Sequence, residues 1–207
     1  MSEAVVYYII KGRLIRMPRK GAFGRSDCYL VDADDELYLW VGSENEIEEH
    51  TLGQAARVLK QTKEEEIELL RLPAGHEPRE FRELFPNFRV TKESAESFVR
   101  EVATRRHEHR LWKVHKVEGE IWFREVPARE ESLKSDGIFV LDTWEKFYIW
   151  RGEKADKADL DPMVIVRGYD ARRIGPRDVS IMEEGEESEE FKHGLVTDQE
   201  DKLYSNM

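Results

Sequence analysis

The hydrophobic positions between Ser26 and Lys60 fall into three short blocks with different periods. The first block, Asp27–Asp32, is almost continuously apolar, which is typical of a strand buried on both faces. The second block, Leu37–Val41, follows an acidic turn and predicts a strand that pairs with the first. From about Glu46 the apolar residues recur at helical spacing, at Leu52, Ala55, Ala56 and Leu59. The pattern therefore predicts a strand, turn, strand and helix in succession.

The same pattern recurs about 110 residues later in the chain. The matched pairs are Tyr38 with Tyr148, Trp40 with Trp150, Gly42 with Gly152, and Phe81 with Phe191. Because one shift aligns all of these residues, we predict two copies of one domain. The boundaries that follow are domain 1 at 1–91, a charged helical linker at 92–110, domain 2 at 111–196 and an acidic tail at 197–207.

Composition narrows the class of protein. A chain of 207 residues suits two small domains, and no apolar run approaches the ~18 residues of a membrane span. The net charge of −11 argues against a nucleic-acid partner, since phosphates would repel the molecule. The one cysteine, Cys28, cannot form a disulfide within the chain. We therefore expect a cytoplasmic protein with Cys28 as a small buried hydrophobe.

The sequence offers little for catalysis. It has no glycine-rich phosphate loop, no nucleophile elbow and no Cys/His set at metal spacing, so we expect a binding protein and not an enzyme. The carboxylates are more informative. Asp27 leads a strand and Glu49 lies early in the helix; with the carbonyl of Ser26 they would supply oxygen ligands that suit calcium. The alternative, that both are surface acids, stays open on spacing alone.

Several motifs resemble the gelsolin/villin/severin family. In the first copy they are Ser26–Asp32, Leu39–Gly42, Glu49–Gln54 and Pro73–Pro78, and in the second Gly137–Asp142, Tyr148–Gly152 and Val179–Glu187. In size the chain is similar to the compact two-domain gelsolins of archaea. The resemblance implies an α/β (α+β) fold of two tandem gelsolin-like domains, each with a central mixed β-sheet between a long and a short helix.

The resemblance also implies actin as a partner and calcium as a regulator. The family's intradomain calcium site maps to the Ser26 carbonyl, Asp27 and Glu49. In the second copy the corresponding positions hold Asp136, Gly137 and Asp159. The carboxylate that leads the strand is lost at Gly137, and a calcium site there depends on Asp136 as a substitute from one residue away.

In the family, the long helix of the first domain contacts a hydrophobic cleft of actin. The contact maps here to Thr51, Leu52, Gln54, Ala55, Ala56, Val58, Leu59 and Gln61. A basic group in and after the linker is a further candidate contact for a filament or a phosphoinositide head group, formed by Arg105, Arg106, Arg110 and Lys113.

Two hypotheses of function follow. The first is a cytoplasmic, cytoskeleton-associated protein that caps, severs or sequesters actin under calcium control. The second is a gelsolin-fold scaffold that binds another protein or an anionic lipid through its basic linker, without actin activity.

Overall fold

The computed structural model describes residues 4–18, 21–33, 36–63, 66–96, 109–143, 146–156, 160–170 and 178–195. The chain divides into two compact units, residues 1–105 (domain 1) and 106–207 (domain 2). Most of the predicted linker, and all of the predicted acidic tail, lie outside the described residues. Within the described ranges, no helix is long and apolar enough to cross a membrane.

Domain 1 is built on a five-stranded mixed sheet with the order β2-β1-β4-β5-β6. Strands β5 and β6 are parallel and the other neighbours are antiparallel. A small parallel pair, β3 with β7, lies apart from this sheet. The elements are β1 (Val5–Ile10), β2 (Arg13–Met17), β3 (Ala22–Gly24), β4 (Cys28–Ala33), β5 (Glu36–Val41), α1 (Glu49–Lys60), β6 (Leu69–Pro73), α2 (Arg79–Glu83) and β7 (Arg89–Thr91).

The two faces of the domain 1 sheet carry different side chains. Alternate residues of a strand point to opposite faces, and on β5 this separates Tyr38 and Trp40 from Leu37 and Leu39. The face of Tyr38 and Trp40 holds an aromatic cluster with mostly tilted or edge-to-face rings. Phe81 from α2 is fully buried in this cluster. Such ring contacts add about 0.5–1.5 kcal/mol each beyond area burial, so the short helix α2 is held mainly by Phe81, its one buried residue.

Domain 2 repeats this architecture with the sheet order β12-β11-β10-β8-β9. Only β11 and β12 are parallel among the pairs of this sheet. The elements are β8 (Arg110–Val117), β9 (Glu120–Val126), a 3₁₀ turn (Glu130–Ser132), β10 (Ile138–Asp142), β11 (Lys146–Arg151), α3 (Pro162–Asp170), β12 (Asp178–Glu183) and α4 (Glu189–Leu195).

Equivalent residues of the two domains occupy equivalent places. Tyr29 lies opposite Trp40 in domain 1, as Phe139 lies opposite Trp150 in domain 2. The glycine that ends each second strand, Gly42 or Gly152, has a reason in packing. A Cβ on Gly42 would lie 2.2 Å from the carbonyl oxygen of Arg25, and one on Gly152 2.1 Å from that of Ser135. The predicted repeat and fold class are thus confirmed.

Candidate functional site

Each domain contains a buried tryptophan bound to a glutamate, a contact that we call the Trp–Glu clasp. In domain 1 the Trp40 Nε1 donates to Glu77 Oε1 at 2.9 Å, and the Gly75 amide donates to the same oxygen at 2.9 Å. In domain 2 the equivalent bonds join Trp150 to Glu187 at 2.7 Å and Gly185 to Glu187 at 3.0 Å. The clasp ties the loop before each short helix to the central sheet.

The backbone conformation of each clasp loop requires a glycine. Gly75 has φ of 89° and Gly185 has φ of 87°, a region that glycine enters at no steric cost. The sequence repeat aligned the two tryptophans, but it did not indicate that each binds a glutamate. The same shift of the chain that aligned Trp40 with Trp150 also aligns Glu77 with Glu187, so that signal was present.

Asp27, the predicted calcium ligand, lies inside domain 1 with only 2% of its surface exposed. Its Oδ2 accepts hydrogen bonds from the Tyr29 hydroxyl and the Ala95 amide, each at 2.8 Å. Its Oδ1 accepts one from the Ser94 hydroxyl at 2.7 Å. The negative charge of Asp27 also contributes, after burial, to raising the pKa of Tyr8 to about 12. The carboxylate is therefore surrounded by hydrogen-bond donors.

Glu49, the second predicted ligand, forms an ion pair at the surface. Its two oxygens accept from the two terminal nitrogens of the Arg71 guanidinium, each at 2.6 Å. These hydrogen bonds hold the pKa of Glu49 below its usual value. The Glu49 side chain is 70% exposed, so the pair links α1 to β6 but adds little to stability.

The chemistry around these residues does not form a calcium site in this conformation. Calcium takes six to eight oxygen ligands, whereas the neighbours of Asp27 donate hydrogens and Glu49 is bound to a cation. In the part of the chain that the structure describes, no three acidic, His or Cys side chains gather into a set that could hold a metal ion. Calcium binding by Ser26, Asp27 and Glu49 stays a prediction.

The predicted calcium positions of domain 2 also have protein partners. The Gly137 carbonyl accepts a hydrogen bond from the Gly152 amide at 2.9 Å. Asp136 lies 3.7 Å from the ammonium group of Lys113, which already supplies a positive charge there. Burial lowers the pKa of Lys113, and the nearby Arg124 lowers it further. Asp159 lies outside the described residues, so a site in domain 2 stays a prediction.

The predicted partner contact on α1 needs correction. Most of the named residues are buried against the rest of the chain, namely Thr51, Leu52, Gln54, Ala55, Ala56, Val58 and Leu59. Because burial removes their side chains from the surface, they hold the helix in place and do not face a partner. Of the predicted set, Gln61 alone is exposed.

The surface of α1 is instead polar, with an acidic residue, Glu49, in its first turn and two basic residues, Arg57 and Lys60, in its last. Its exposed residues include His50, Gly53, Arg57 and Lys60, which recur three or four positions apart and so lie on one stripe. A Cβ on Gly53 would meet no atom within 4 Å. We call these four residues the α1 stripe.

The described members of the predicted basic group are both in contact with acids of their own domain. Arg110 forms two hydrogen bonds with Glu125, at 2.8 and 2.9 Å, and its guanidinium lies 4.7 Å from the centre of the Trp112 ring. Lys113 has its side chain only 19% exposed beside Asp136. Arg105 and Arg106 lie outside the described residues.

Domain 2 differs from domain 1 in its exposed apolar residues. Among the described residues, the exposed large hydrophobics are Val90 in domain 1 and Met163, Val164 and Ile181 in domain 2. Ile181 occupies the repeat position of Arg71, so the surface ion pair of domain 1 has no arginine in domain 2. The two domains therefore differ at this surface position.

The geometry defines a class: a protein of two tandem repeats, each with a mixed sheet, a long and a short helix and a Trp–Glu clasp. Comparison with known proteins agrees with that class. The family model described as the gelsolin repeat matches residues 19–82 and 123–192. The chain belongs to the gelsolin family.

Among curated relatives, the macrophage-capping protein of Rattus norvegicus is 27% identical over 185 residues, which is 83% of this chain and 52% of that protein. The macrophage-capping protein of Homo sapiens is 26% identical over 185 residues, 83% of this chain and 53% of that protein. The chain thus spans about half the length of these relatives.

Among solved structures, this chain is similar to a chain in the crystal structure of the Thorarchaeota 2DGel3/rabbit actin complex. The sequences are 41% identical, the match covers 94% of this chain and all of the other chain, and the TM-score is 0.41.

Proposed function

We propose that this protein binds actin and acts by capping, severing or sequestering it. The observation that carries the proposal is membership of the gelsolin family through both repeats. The 41% sequence identity to an archaeal protein solved in complex with rabbit actin gives further support. The fold offers surfaces for binding and the sequence offers no catalytic set, so the proposed activity is recognition without catalysis.

The α1 stripe is the surface through which domain 1 would contact actin. The apolar side of α1 is used inside the domain, so a partner meets His50, Gly53, Arg57 and Lys60. Two of these residues are cationic, which favours an acidic surface on the partner. Gly53 projects no side chain, and the partner can therefore approach the helix backbone closely.

Charge reversal on this stripe tests the proposal. The variant Arg57→Glu with Lys60→Glu should weaken co-pelleting with actin filaments, or complex formation with monomeric actin, by about ten-fold or more. Each reversed contact costs on the order of 1 kcal/mol at a solvent-exposed rim. A matched control is Arg79→Glu with Lys192→Glu, since both residues are exposed basic positions on the short helices α2 and α4.

The control variant should bind actin as the unmodified chain does. If the two variants bind equally well, the α1 stripe is not the contact. If the unmodified chain does not bind monomers or filaments, the proposal of actin binding itself is wrong.

Calcium control is a separate part of the proposal. A calcium ion held by the Ser26 carbonyl, Asp27 and Glu49 would need Glu49 to leave Arg71 and the Asp27 oxygens to exchange hydrogen-bond donors for the ion. Isothermal titration calorimetry on the unmodified chain and on Asp27→Ala with Glu49→Ala tests this. Heat of binding that disappears in the double variant supports the site, and equal binding by both proteins contradicts it.

The scaffold hypothesis finds less support. It needs basic residues that are available to an anionic lipid or protein, and the described ones, Arg110 and Lys113, contact Glu125 and Asp136. Vesicles containing phosphoinositide provide the test, because a scaffold of this kind would bind them and leave actin in the supernatant.

A further inference from the structure

The hydrogen bonds of Asp27 connect two places that are far apart in the sequence. The Ser94 hydroxyl and the Ala95 amide, which donate to Asp27, are 67 and 68 residues further along the chain. Ser94 in turn accepts a hydrogen bond from the Glu96 amide at 3.1 Å. We call residues Glu93–Glu96 the exit segment, because they are the last described residues of domain 1 before the chain continues towards domain 2.

The space around the carboxylate is shaped for this contact. A Cβ on Gly24 would lie 2.2 Å from Asp27 Oδ2 and 2.5 Å from the carbonyl oxygen of Glu93. No side chain therefore fits at this position while the carboxylate and the exit segment are in place. The pairing of β3 with β7 and a bond from the Arg25 amide to the Thr91 carbonyl, at 2.9 Å, bring the same two chain segments together.

Domain 2 lacks the whole arrangement and not only the aspartate. Gly137 stands at the position of Asp27 and Phe139 at that of Tyr29, so the carboxylate and its hydroxyl donor are absent together. Lys134 stands at the position of Gly24. A Cβ on Gly137 would lie 2.6 Å from the Phe139 ring, so the ring takes the space that a side chain there would need. The three residues thus differ between the repeats as one unit.

We propose that Asp27 anchors the exit segment to domain 1 when no calcium is bound, through hydrogen-bond donors alone. The three donors, a phenol, a serine hydroxyl and a backbone amide, stabilise an ionised carboxylate as charge-assisted bonds do. Loss of the anchor frees Glu93–Glu96 from the start of β4. The proposal does not depend on actin binding and can fail or hold independently of it.

Hydrogen exchange of the full chain, followed by NMR in a calcium chelator, tests the anchor. The Ala95 and Glu96 amides should exchange slowly in the unmodified chain, because each has a hydrogen-bond acceptor. In Asp27→Asn the charge and one acceptor oxygen are lost, and exchange at Ala95 should be faster by about ten-fold or more. In Ser94→Ala the Glu96 amide loses its acceptor, and exchange at Glu96 should be faster by a smaller factor.

Two controls separate the anchor from general destabilisation. Asp136→Asn changes an exposed acid of domain 2 and should leave the Ala95 and Glu96 amides unaffected. The buried β4 amides of Leu30 and Val31 should keep their slow exchange in Ser94→Ala, which decides the question if Asp27→Asn does not fold. Unchanged exchange at the exit segment in both domain 1 variants would overturn the proposal. So would an unmodified chain whose exit segment is protected only after calcium is added.

Discussion

Removing the carboxylate of the Trp–Glu clasp in domain 1 should destabilise that domain more than the same change in domain 2. In Glu77→Ala the Trp40 Nε1 loses its acceptor at 2.9 Å, and Trp40 has no exposed surface through which water could replace it. An unsatisfied buried donor costs about 1–3 kcal/mol, and bonds to a charged acceptor fall at the upper end. The exposed Gly75 amide can bind water instead. We therefore expect the free energy of unfolding to fall by about 2–3 kcal/mol in this variant.

The matched variant in domain 2 is Glu187→Ala. Glu187 is only partly buried whereas Glu77 is buried, and water can reach the position of the lost carboxylate more easily. We therefore expect a loss of about 1–2 kcal/mol in this variant. For a domain of about 100 residues each kcal/mol lowers the thermal midpoint by about 4–8 °C, so tryptophan fluorescence against temperature resolves the two variants.

The clasp also has a defined dependence on pH. Burial alone raises the pKa of Glu77, but hydrogen bonds from Trp40, Gly75 and Arg82 lower it, and the pKa in the folded protein lies below its ordinary value. The carboxylate therefore contributes its full stabilisation above about pH 4.3, the ordinary pKa of glutamate. That contribution is lost as the pH falls through the lower pKa of the folded state. Glu77→Gln, which does not titrate, should lack this part of the acid transition.

For the stability prediction at neutral pH, a thermal midpoint of Glu77→Ala within 2 °C of that of the unmodified chain would refute the reasoning.

Four further predictions follow from single positions. Gly53→Ala should raise stability by about 1 kcal/mol, because alanine is the better helix former and its Cβ meets no atom within 4 Å; a lower thermal midpoint would contradict this. Burial raises the pKa of the Cys28 thiol to about 12, so a disulfide reagent at pH 8 should react with it only after unfolding, and rapid labelling of the native protein would be the contrary result. Burial, Arg124 and Lys113 together lower the pKa of His115 to about 3; since the unfolded residue titrates near 6.5, stability should fall as the pH drops from 6.5 towards 3, and His115→Leu should flatten that decline in denaturant titrations. Gly137→Asp should destabilise domain 2 by about 1–3 kcal/mol, because its Cβ would lie 2.6 Å from the Phe139 ring, and calorimetry should detect no added calcium site in it.

The repeat and its elements could be predicted from the sequence because they depend on local patterns. The helical spacing of Leu52, Ala55, Ala56 and Leu59 predicted α1, and all four residues are buried. The sequence did not indicate how wide the buried side of α1 is. Thr51 and Gln54 are polar and yet 8% and 2% exposed.

The surroundings of Asp27 could not be predicted for a different reason. Its place at the start of β4 follows from the local pattern, but the direction of its carboxylate depends on Ser94, 67 residues away. A contact at that separation leaves no periodic signal in a single sequence. Comparison of the repeats gave part of the answer, because Gly137 showed that the fold does not need an aspartate at this position. The structure shows a role for Asp27 that does not involve calcium, namely the acceptance of hydrogen bonds from Ser94 and Ala95.

The most direct test of the account is whether the full chain forms a complex with monomeric actin. Sedimentation velocity with fluorescently labelled actin measures this, once in calcium and once in a calcium chelator. We predict a faster-sedimenting complex in at least one of the two conditions, which the Arg57→Glu with Lys60→Glu variant forms more weakly. Actin that sediments at its own rate in both conditions, at micromolar concentrations of a folded chain, would contradict the proposed function.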